Sequence, residues 1–412
     1  MGSIRSILLL ILAAPAAAFG GGSLLQVPQD FETIQAAVDA AADGDTIEIR
    51  GGTYAEAVVV SGRTGLTLRA KGRVVIDPPA GTGLTLDGCT DCIVEKLRVE
   101  GGDPHGILLL DSTGCSLLKC RVEDSVDDGL RAEGGGGHTF EKCTVKRVGR
   151  DGLGMGTSTA AAVDGCSVTK CKFLQVGDDG VDVNGSDNTF GQCLAQKPGE
   201  DGYEVDDSGL ASNNVFTACK AIKPAQNGAW VRGAGTANRL VGCKFIRPGD
   251  AGVLVEDSSA ARVEGSKVVK AGFDGIFVDA SAGGAELVGN KVTGSADDGI
   301  EVDGADAFVT DNKVAGSKGD GCRLDGNTGA WSGNQATGCK GHGFDVALGD
   351  DNTLDGNTAK GNKGDGFLLG ADASGNTLTN NTGKGNKGFD LNDESGGANT
   401  LGEGNAFGTE SP

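Results

Sequence analysis

One short pattern of apolar and polar positions recurs along most of the chain. A turn residue and a glycine are followed by an apolar, a variable, an apolar and a usually polar position, about every 23 residues. The repeat glycines are Gly83, Gly106, Gly129, Gly152, Gly180, Gly202, Gly228, Gly252, Gly275, Gly299, Gly321, Gly343, Gly366 and Gly388. Alternation with period two predicts a short β-strand whose alternate side chains point inward. The 3.6-residue helical period is missing from these repeats, and glycine this frequent disfavours helices.

The inward positions keep their register from one repeat to the next, which predicts a parallel solenoid. Each coil of such a fold buries its inner face only against neighbouring coils, and both ends need a cap. One coil for each repeat glycine gives about 14 coils. In the last repeat the pattern places Phe389 and Leu391 inward, with Asp390 between them on the outer face.

Two further columns of similar residues recur in register and predict stacked turns. The first holds Leu97, Cys120, Cys143, Cys171, Cys193, Cys219, Cys243, Ser266, Asn290, Asn312, Asn334, Asn357 and Asn381. The second holds Cys92, Cys115, His138, Cys166, Asn188, Asn214 and Asn238. Stacked Asn side chains hydrogen-bond along such a column. Nine of the 12 cysteines lie in these columns, which favours buried reduced thiols over disulfides; Cys89 with Cys92 is the first pair to consider for a bridge.

The N-terminal residues predict export and a cap. A small positive start, a short apolar stretch and Ala16 to Ala18 as a cleavage site predict a secretory signal peptide over residues 1–18. Between Thr33 and Ala42 the apolar residues follow helical spacing, and Gly44 follows as a stop signal. We assign residues 24–60 to this cap and the first strands, 61–395 to the solenoid and 396–412 to a C-terminal tail. Nothing later in the sequence is long and apolar enough to predict a membrane span.

The opening of the mature chain carries a family resemblance. The stretches from Asp30 to Val38, from Gly44 to Ile49 and from Gly52 to Glu56 resemble the start of proteins in the pectin lyase-like superfamily, including pectin methylesterases and NosD-type proteins. The resemblance implies an all-β, single-stranded right-handed parallel β-helix with a short N-terminal capping helix. That superfamily includes lyases, hydrolases, esterases, epimerases and proteins of no known activity, so the fold alone assigns no chemistry.

Charge narrows the range of partners. A formal net charge of -21 disfavours nucleic acid as a partner, and an acidic polysaccharide would need local Arg or Lys side chains or a bridging cation. His138 lies in a turn column, whereas His105 and His342 each precede a repeat glycine and are ten coils apart, so we predict no shared metal site of the zinc type. Doubled acids at Asp127 with Asp128, Asp178 with Asp179 and Asp297 with Asp298 leave Ca²⁺ between coils as the one cofactor hypothesis.

In the superfamily that this chain resembles, substrates lie along an outer sheet. The outward positions of the Gly-led strands are therefore the candidate binding surface. Trp230, Leu254 and Phe277 form an apolar patch there, and such patches mark interaction surfaces. Aromatic faces beside carboxylates suit sugar rings. The alternative is that a loop around Ser208 to Asn214 covers the patch. The candidate substrate-binding residues are Arg131, Asp182, Glu204, Trp230, Arg232, Leu254, Phe277, Glu301 and Arg323.

The catalytic hypothesis concerns Asp298, Asp320 and His342. On three successive coils they resemble the order and spacing of polygalacturonase motifs, although Gly321 replaces one acid of that pattern and the later Arg-Ile-Lys clamp is absent. Asp directly before the repeat glycine recurs in eight coils, which favours a turn-forming role in which the side chain bonds its own backbone two residues on. The tripeptide from Asp103 to His105 resembles a motif of alginate epimerases and related lyases, but here it precedes a strand instead of following one.

The leading functional hypothesis is a secreted, periplasmic or surface protein that binds a polysaccharide or cell-wall component along its outer sheet. The second is a lyase, hydrolase or C5-epimerase acting on an acidic polysaccharide. A NosD-like accessory protein or a structural spacer is the third. Converging acids with shifted pKa values beside Arg or Lys in a groove would favour the enzyme.

Overall fold

The computed structural model describes residues 22–156, 162–205, 211–233 and 235–411. In these ranges the named strands pair in parallel, and they form three ladders that run the length of a solenoid of about 16 turns. The predicted signal peptide, residues 1–18, lies outside the described residues. No helix in the described ranges has the length and apolarity needed to cross a membrane.

The first ladder contains the Gly-led strands and forms a sheet of 15 strands in the described residues. Inward side chains such as Val253 and Val255 are fully buried, whereas the residue between them is half-buried on the outer face. The predicted alternation of the Gly-led strands is confirmed. The strands are Val58–Ser61, Leu84–Asp87, Ile107–Thr113, Leu130–Gly136, Leu153–Met155, Val181–Val183, Glu204–Val205, Ala229–Val231, Val253–Val255, Ile276–Val278, Ile300–Val302, Cys322–Leu324, Phe344–Val346, Phe367–Leu369 and Leu391–Asp393.

The second and third ladders follow in each coil and share one sheet of 31 strands in the described residues. The second ladder comprises Leu24–Val27, Thr46–Tyr54, Thr67–Ile76, Ile93–Glu95, Ser116–Leu118, Thr139–Glu141, Ser167–Thr169, Thr189–Gly191, Val215–Thr217, Arg239–Val241, Arg262–Glu264, Glu286–Val288, Phe308–Thr310, Ala330–Ser332, Thr353–Asp355, Thr377–Thr379 and Thr400–Leu401. The third comprises Arg98–Glu100, Arg121–Glu123, Thr144–Lys146, Lys172–Leu174, Leu194–Gln196, Lys220–Ile222, Lys244–Ile246, Lys267–Val269, Lys291–Thr293, Lys313–Ala315, Gln335–Thr337, Thr358–Lys360, Thr382–Lys384 and Ala406–Phe407. The C-terminal halves of Thr46–Tyr54 and Thr67–Ile76 begin the third ladder.

The predicted capping helix spans Ile34–Ala40. The hydroxyl of Thr33 accepts the backbone N–H of Ala36 and caps the N-terminus, and the buried side chains of this helix include Ile34 and Val38. The helix ends before Gly44, which instead lies in the turn that leads into the next strand with a φ of 78°. Its apolar face covers the open end of the first coils.

Stacked side chains satisfy the buried turns between the second and third ladders, as predicted. The side-chain oxygen of Asn334 accepts the backbone N–H of Asn312 at 2.9 Å, and its own amide donates to the carbonyl of Val309 at 2.7 Å. All 12 cysteines lie in the described part of the chain, and all are buried as free thiols, including Cys89 and Cys92. The interior therefore combines stacked apolar, thiol and amide side chains.

The structure corrects two details of the predicted repeat. In the last coil Leu391, not Phe389, pairs with Phe367, so the register is shifted by two residues and Phe389 is 39% exposed. Asp390 accordingly lies at the position of a repeat glycine and not on the outer strand face, because its carbonyl accepts the N–H of Phe367.

The number of coils exceeds the predicted 14 because the coils that precede Gly83 lack the repeat glycine. The first strand of the first ladder, Val58–Ser61, follows Ala57 instead. At the other end Thr400–Leu401 and Ala406–Phe407 still pair in register with the preceding coil. Strand pairing therefore continues beyond the predicted boundary at residue 396.

Candidate functional site

The outward positions of the first ladder form one continuous row across the middle coils. Register pairs Glu204 with Trp230, then Leu254, Phe277 and Glu301 in turn. Trp230, Leu254 and Phe277, which we call the apolar floor, are half-buried. The floor therefore occupies three adjacent coils, with one glutamate on the coil before it and one on the coil after it.

Trp230 is held in place by two polar neighbours. The guanidinium carbon of Arg232 lies 4.1 Å from the centre of the indole ring, a cation–π distance. The indole N–H donates to Oε2 of Glu256 at 3.2 Å. These contacts fix the ring on the floor. Of the loop considered as a cover, residues 208–210 lie outside the described residues.

The first acidic cluster lies at one end of the floor and consists of Asp179, Asp201 and Glu204. One carboxylate oxygen from each lies within 4.8 Å of the others, and all three residues are buried. Burial raises the pKa of Asp201 to about 7, and burial together with the charge of Glu204 raises that of Asp179. Nη2 of Arg232 lies 2.7 Å from Oε1 of Glu204, so the cluster has one cation at its edge.

The second acidic cluster lies at the other end and consists of Asp274, Asp298 and Glu301. Their carboxylate oxygens also lie within 4.8 Å of one another. Burial, reinforced by neighbouring acids, raises the pKa of Asp274 to about 8 and that of Asp298 to about 7. Nε of Arg323 lies 3.7 Å from Oε1 of Glu301. This cluster contains protonatable carboxyls, a carboxylate on the outer row and a guanidinium.

The second cluster continues into a third group of three acids. Glu301, Asp303 and Asp325 also bring carboxylate oxygens within 4.8 Å of one another, and Asp325 holds Nη2 of Arg323 at 2.8 Å. Carboxylate oxygens in such groups are the ligand type that Ca²⁺ takes. The acids that would hold a cation are therefore these groups and the first acidic cluster. Of the three doubled pairs named above, one member of each of two pairs, Asp179 and Asp298, belongs to them.

The acids that precede the repeat glycines have a different role from the one predicted. Oδ1 of Asp274 accepts the backbone N–H of Asp298, at the same position of the next coil, at 2.8 Å. The pair from Asp151 to Asp179 repeats this contact at 3.1 Å. The expected bond to the residue's own turn is therefore replaced by a bond between coils. We call this row of side chains the aspartate column.

The three residues of the catalytic hypothesis all belong to the aspartate column. Asp298 accepts the N–H of Asp320, and Asp320 accepts that of His342. Nδ1 of His342 accepts the N–H of Asp365 at 3.0 Å. The structure thus brings the three onto adjacent coils, with one side-chain atom of each engaged by the backbone, and the catalytic assignment stays a prediction.

Arg131 and Asp182 occupy the same outer row nearer the N-terminus. The guanidinium of Arg131 is buried and donates to Asp128, to Glu133 and, at 2.7 Å, to the carbonyl of Gly156. Asp182 pairs in register with Glu204 on the next coil and so continues the row. Their role in binding also stays a prediction; the geometry shows Arg131 engaged by protein groups.

Sequence reasoning overlooked a second surface. Five lysines lie in register on the outer face of the third ladder. The signal was present as lysine at intervals of 22 to 24 residues. The lysines lie outside the glycine and apolar columns from which the repeat was defined. These lysines are Lys220, Lys244, Lys267, Lys291 and Lys313.

Solved structures resemble this chain in fold. The tailspike protein of E. coli bacteriophage HK620 in complex with pentasaccharide matches with a TM-score of 0.54 and 13% identity, over 90% of this chain and 74% of that one. The Azotobacter vinelandii mannuronan C-5 epimerase AlgE6 A-module matches with a TM-score of 0.41 and 16% identity, over 92% and 94%. The alginate lyase from Paenibacillus sp. str. FPU-7 matches with a TM-score of 0.47 and 14% identity, over 63% and 99%.

No curated protein matches the sequence. The likeness to the HK620 tailspike lies below 25% identity and shows the fold alone. The predicted right-handed parallel β-helix is confirmed. The family model described as right handed beta helix region matches residues 82–245 and 251–407. These ranges cover most of the sequence, and the chain therefore belongs to the right-handed β-helix family.

Proposed function

We propose that this chain is an exported protein that binds an extended carbohydrate, a polysaccharide or cell-wall component, along the outer row of its first ladder. One observation carries the proposal: the apolar floor spans three coils and is bracketed by Glu204 and Glu301, each within an acid and arginine cluster. Sugars present apolar C–H faces and hydroxyl edges. A floor with polar groups at both ends matches this division.

Distances along the solenoid fit a polymer better than a single sugar. Four steps of one strand spacing, ~4.8 Å each, separate Glu204 from Glu301 and make about 19 Å. The row is continuous in register from coil to coil, so a sugar chain lying parallel to the axis contacts several coils. The tailspike that shares this fold is in complex with a pentasaccharide, an occupant of comparable extent.

A glycan array with paired variants tests the binding proposal. Trp230→Ala and Leu254→Ala remove parts of the floor, whereas Leu368→Ala removes the same type of side chain from the same row outside the bracket. We expect the floor variants to lose about 2 kcal/mol of binding free energy for the retained glycan, as anchor residues do, and the Leu368 variant to bind as the wild type does. Unchanged glycan binding by both floor variants would show that the floor does not bind the glycan.

A polysaccharide-cleaving or epimerising enzyme is the second candidate, favoured by the second acidic cluster. Asp274 and Asp298 have pKa values near neutrality, beside Glu301 and Arg323. A protonated carboxyl and an ionised one at close range supply the acid and base that glycosidic cleavage needs. Such pairs are typical of active sites.

Activity assays distinguish this candidate from a binder. The wild type and the variants Asp298→Asn and Glu301→Gln are incubated with alginate, polygalacturonate and neutral glycans, with and without Ca²⁺. Absorbance of unsaturated products reports a lyase, new reducing ends report a hydrolase, and proton NMR of the uronate residues reports an epimerase. Turnover by the wild type that both variants lack supports the enzyme hypothesis. No turnover by the wild type on any of these glycans rejects the hypothesis for those substrates.

A further inference from the structure

The third ladder carries a column of lysines on its outer face. Lys220, Lys244, Lys267, Lys291 and Lys313 each occupy the first position of a strand, and consecutive members pair in register. The middle residue of each strand points into the core and is buried, so the lysine points outward. At one strand spacing, the column is about 19 Å long.

A second basic column runs beside it in the turn that follows each strand. Lys197, Lys223, Arg247 and Lys270 are exposed and share a positive φ between 52° and 56°. Each donates its backbone N–H to the last residue of the neighbouring strand, so these four positions also stack in register. Together the two columns form what we call the basic face.

An aliphatic stripe separates the two columns. Ile222, Ile246 and Val269 pair in register at the third position of their strands and are half-buried. The basic face is therefore two rows of cations with an apolar row between them. No aromatic side chain occupies this stripe in the three strands concerned.

The cations of the basic face are not neutralised by the protein. No ion pair within 4.0 Å joins any of the nine side chains to an acid in the described ranges, whereas basic residues of the N-terminal coils are paired: Lys71 with Glu48, Lys96 with Glu95 and Lys142 with Glu141. Glu264, on the adjoining second ladder, is engaged by Arg262 at 3.0 Å. On a chain of net charge -21, this is a local reversal of sign.

Like charges stacked in register repel one another, and a bound anion relieves that repulsion. One isolated anion neutralises one or two steps of the column, whereas a linear polyanion lying along the axis meets every coil. Single-stranded nucleic acids bind grooves in which aromatic side chains stack on bases. The stripe offers aliphatic side chains instead, which suit the C–H faces of sugars.

We propose that the basic face binds a linear anionic polysaccharide parallel to the solenoid axis, with its carboxylates or sulfates on the two cationic columns and its ring faces on the Ile222, Ile246 and Val269 stripe. Uronate chains carry about one anion per sugar ring, a spacing of the same order as the ~4.8 Å between coils. This surface lies on a different ladder from the apolar floor. It supplies the local cations that a protein of negative net charge needs in order to bind a polyanion.

Fluorescence anisotropy with labelled polygalacturonate, in EDTA so that no divalent cation bridges, tests the proposal. The first variant is the triple Lys220→Gln, Lys244→Gln, Lys267→Gln. The second changes only exposed turn residues, Lys223→Gln, Arg247→Gln and Lys270→Gln, and so preserves the strands. The matched control, Lys71→Gln, Lys96→Gln and Lys142→Gln, removes three positive charges from ion-paired lysines. Unlabelled neutral dextran and oligo-dT serve as competitors, and Trp230→Ala reports on the floor.

We expect each basic-face triple to weaken binding about tenfold at low salt, because each exposed contact is equivalent to about a twofold change in affinity, with near wild-type binding by the control. Equal weakening in the control and basic-face variants would attribute binding to net charge and overturn the proposal. Stronger competition by oligo-dT than by polygalacturonate would overturn the choice of polysaccharide. Loss of binding in Trp230→Ala alone would transfer the ligand to the floor, leaving the proposed function standing and this inference refuted.

Discussion

Oδ1 of Asp274 accepts the backbone N–H of Asp298 at 2.8 Å, while Oδ2 of the same carboxyl is buried with no hydrogen-bond partner among the described residues. The first contact favours an ionised carboxylate, but burial outweighs it and raises the pKa of Asp274 from 3.8 to about 8. Asp151 and Asp298 in the same column have pKa values of about 7 for the same dominant reason. The aspartate column thus stores several protons at neutral pH.

These raised pKa values predict that stability falls as the pH rises. Between about pH 4 and pH 8 the folded chain binds more protons than the unfolded chain, so the free energy of unfolding decreases with pH, by up to about 1.4 kcal/mol per pH unit for each such carboxyl. The stabilisation is fully present below the ordinary Asp pKa of 3.8 and is lost as the pH passes the folded values of 7 to 8. Thermal unfolding in EDTA across this range measures the slope.

The variant Asp274→Asn tests whether the aspartate column causes this pH dependence of stability. Asn227 already holds this position in another coil, where its side-chain oxygen accepts the N–H of Ala251 at 3.1 Å, so the amide fits. We expect the variant to lose one carboxyl's share of the slope, while Asp250→Asn, which changes an exposed acid of the preceding coil, keeps the wild-type slope. Parallel curves for wild type and Asp274→Asn would contradict this explanation.

A second prediction concerns the buried Asn column. Asn334→Ala leaves the N–H of Asn312 and the carbonyl of Val309 without their present partners. Each buried unsatisfied group costs about 1–3 kcal/mol, so we expect a loss of about 2–5 kcal/mol in urea unfolding.

Asn213→Gly is the control for the Asn334 variant. Asn213 is exposed, and its φ of 58° is one that glycine adopts without strain. We expect its free energy of unfolding to change by less than about 0.5 kcal/mol. Similar losses for both variants would mean that the stacked amides are not what stabilises the turns.

The repeat itself was predictable because spacing and polarity are properties of the sequence. The direction of a side chain's hydrogen bond is not: the Asp residues before the repeat glycines suggested local turns, whereas the structure joins Asp274 to Asp298 across 24 residues. The shift at Phe389 has a similar origin, because Phe389 and Leu391 both satisfy the apolar pattern and only strand pairing chooses between them. Periodicity defines a column without defining its contacts.

The candidate site was predicted in part for the same reason. The outer row of Trp230, Leu254 and Phe277 follows directly from alternation. The acidic clusters do not, because each combines a residue of the row, such as Glu301, with buried members of the aspartate column two residues before the strand. Their proximity depends on the angle between the turn and the strand, and the repeat pattern does not determine that angle.

A third prediction concerns the repeat glycines. A Cβ on Gly299 would lie 2.1 Å from Cγ1 of Val314 and 2.5 Å from the carbonyl oxygen of Gly321. Because the second contact is with backbone, Gly299→Ala forces the turn to move, and we expect a loss of about 3 kcal/mol, the upper range for overpacking.

Gly191→Ala supplies the comparison for Gly299→Ala. Its Cβ would meet only a methyl group of Thr169, at 3.5 Å, an ordinary contact. We expect this variant to unfold within about 0.5 kcal/mol of the wild type in urea. A Gly299→Ala protein of wild-type stability would show that the close approach of turn and core is not required.

The last prediction concerns the thiols. All 12 cysteines are buried, and burial raises the pKa of the Cys166 thiol to about 11. The folded chain therefore offers a thiol reagent neither access nor a thiolate at Cys166. We expect almost no reaction with Ellman's reagent under native conditions and 12 thiols per chain in guanidinium chloride without reductant. A count of 10 or fewer after unfolding would show that cysteine pairs are oxidised. Rapid native labelling, in contrast, would show that the coils open far more readily than a stack with this many buried side chains should allow.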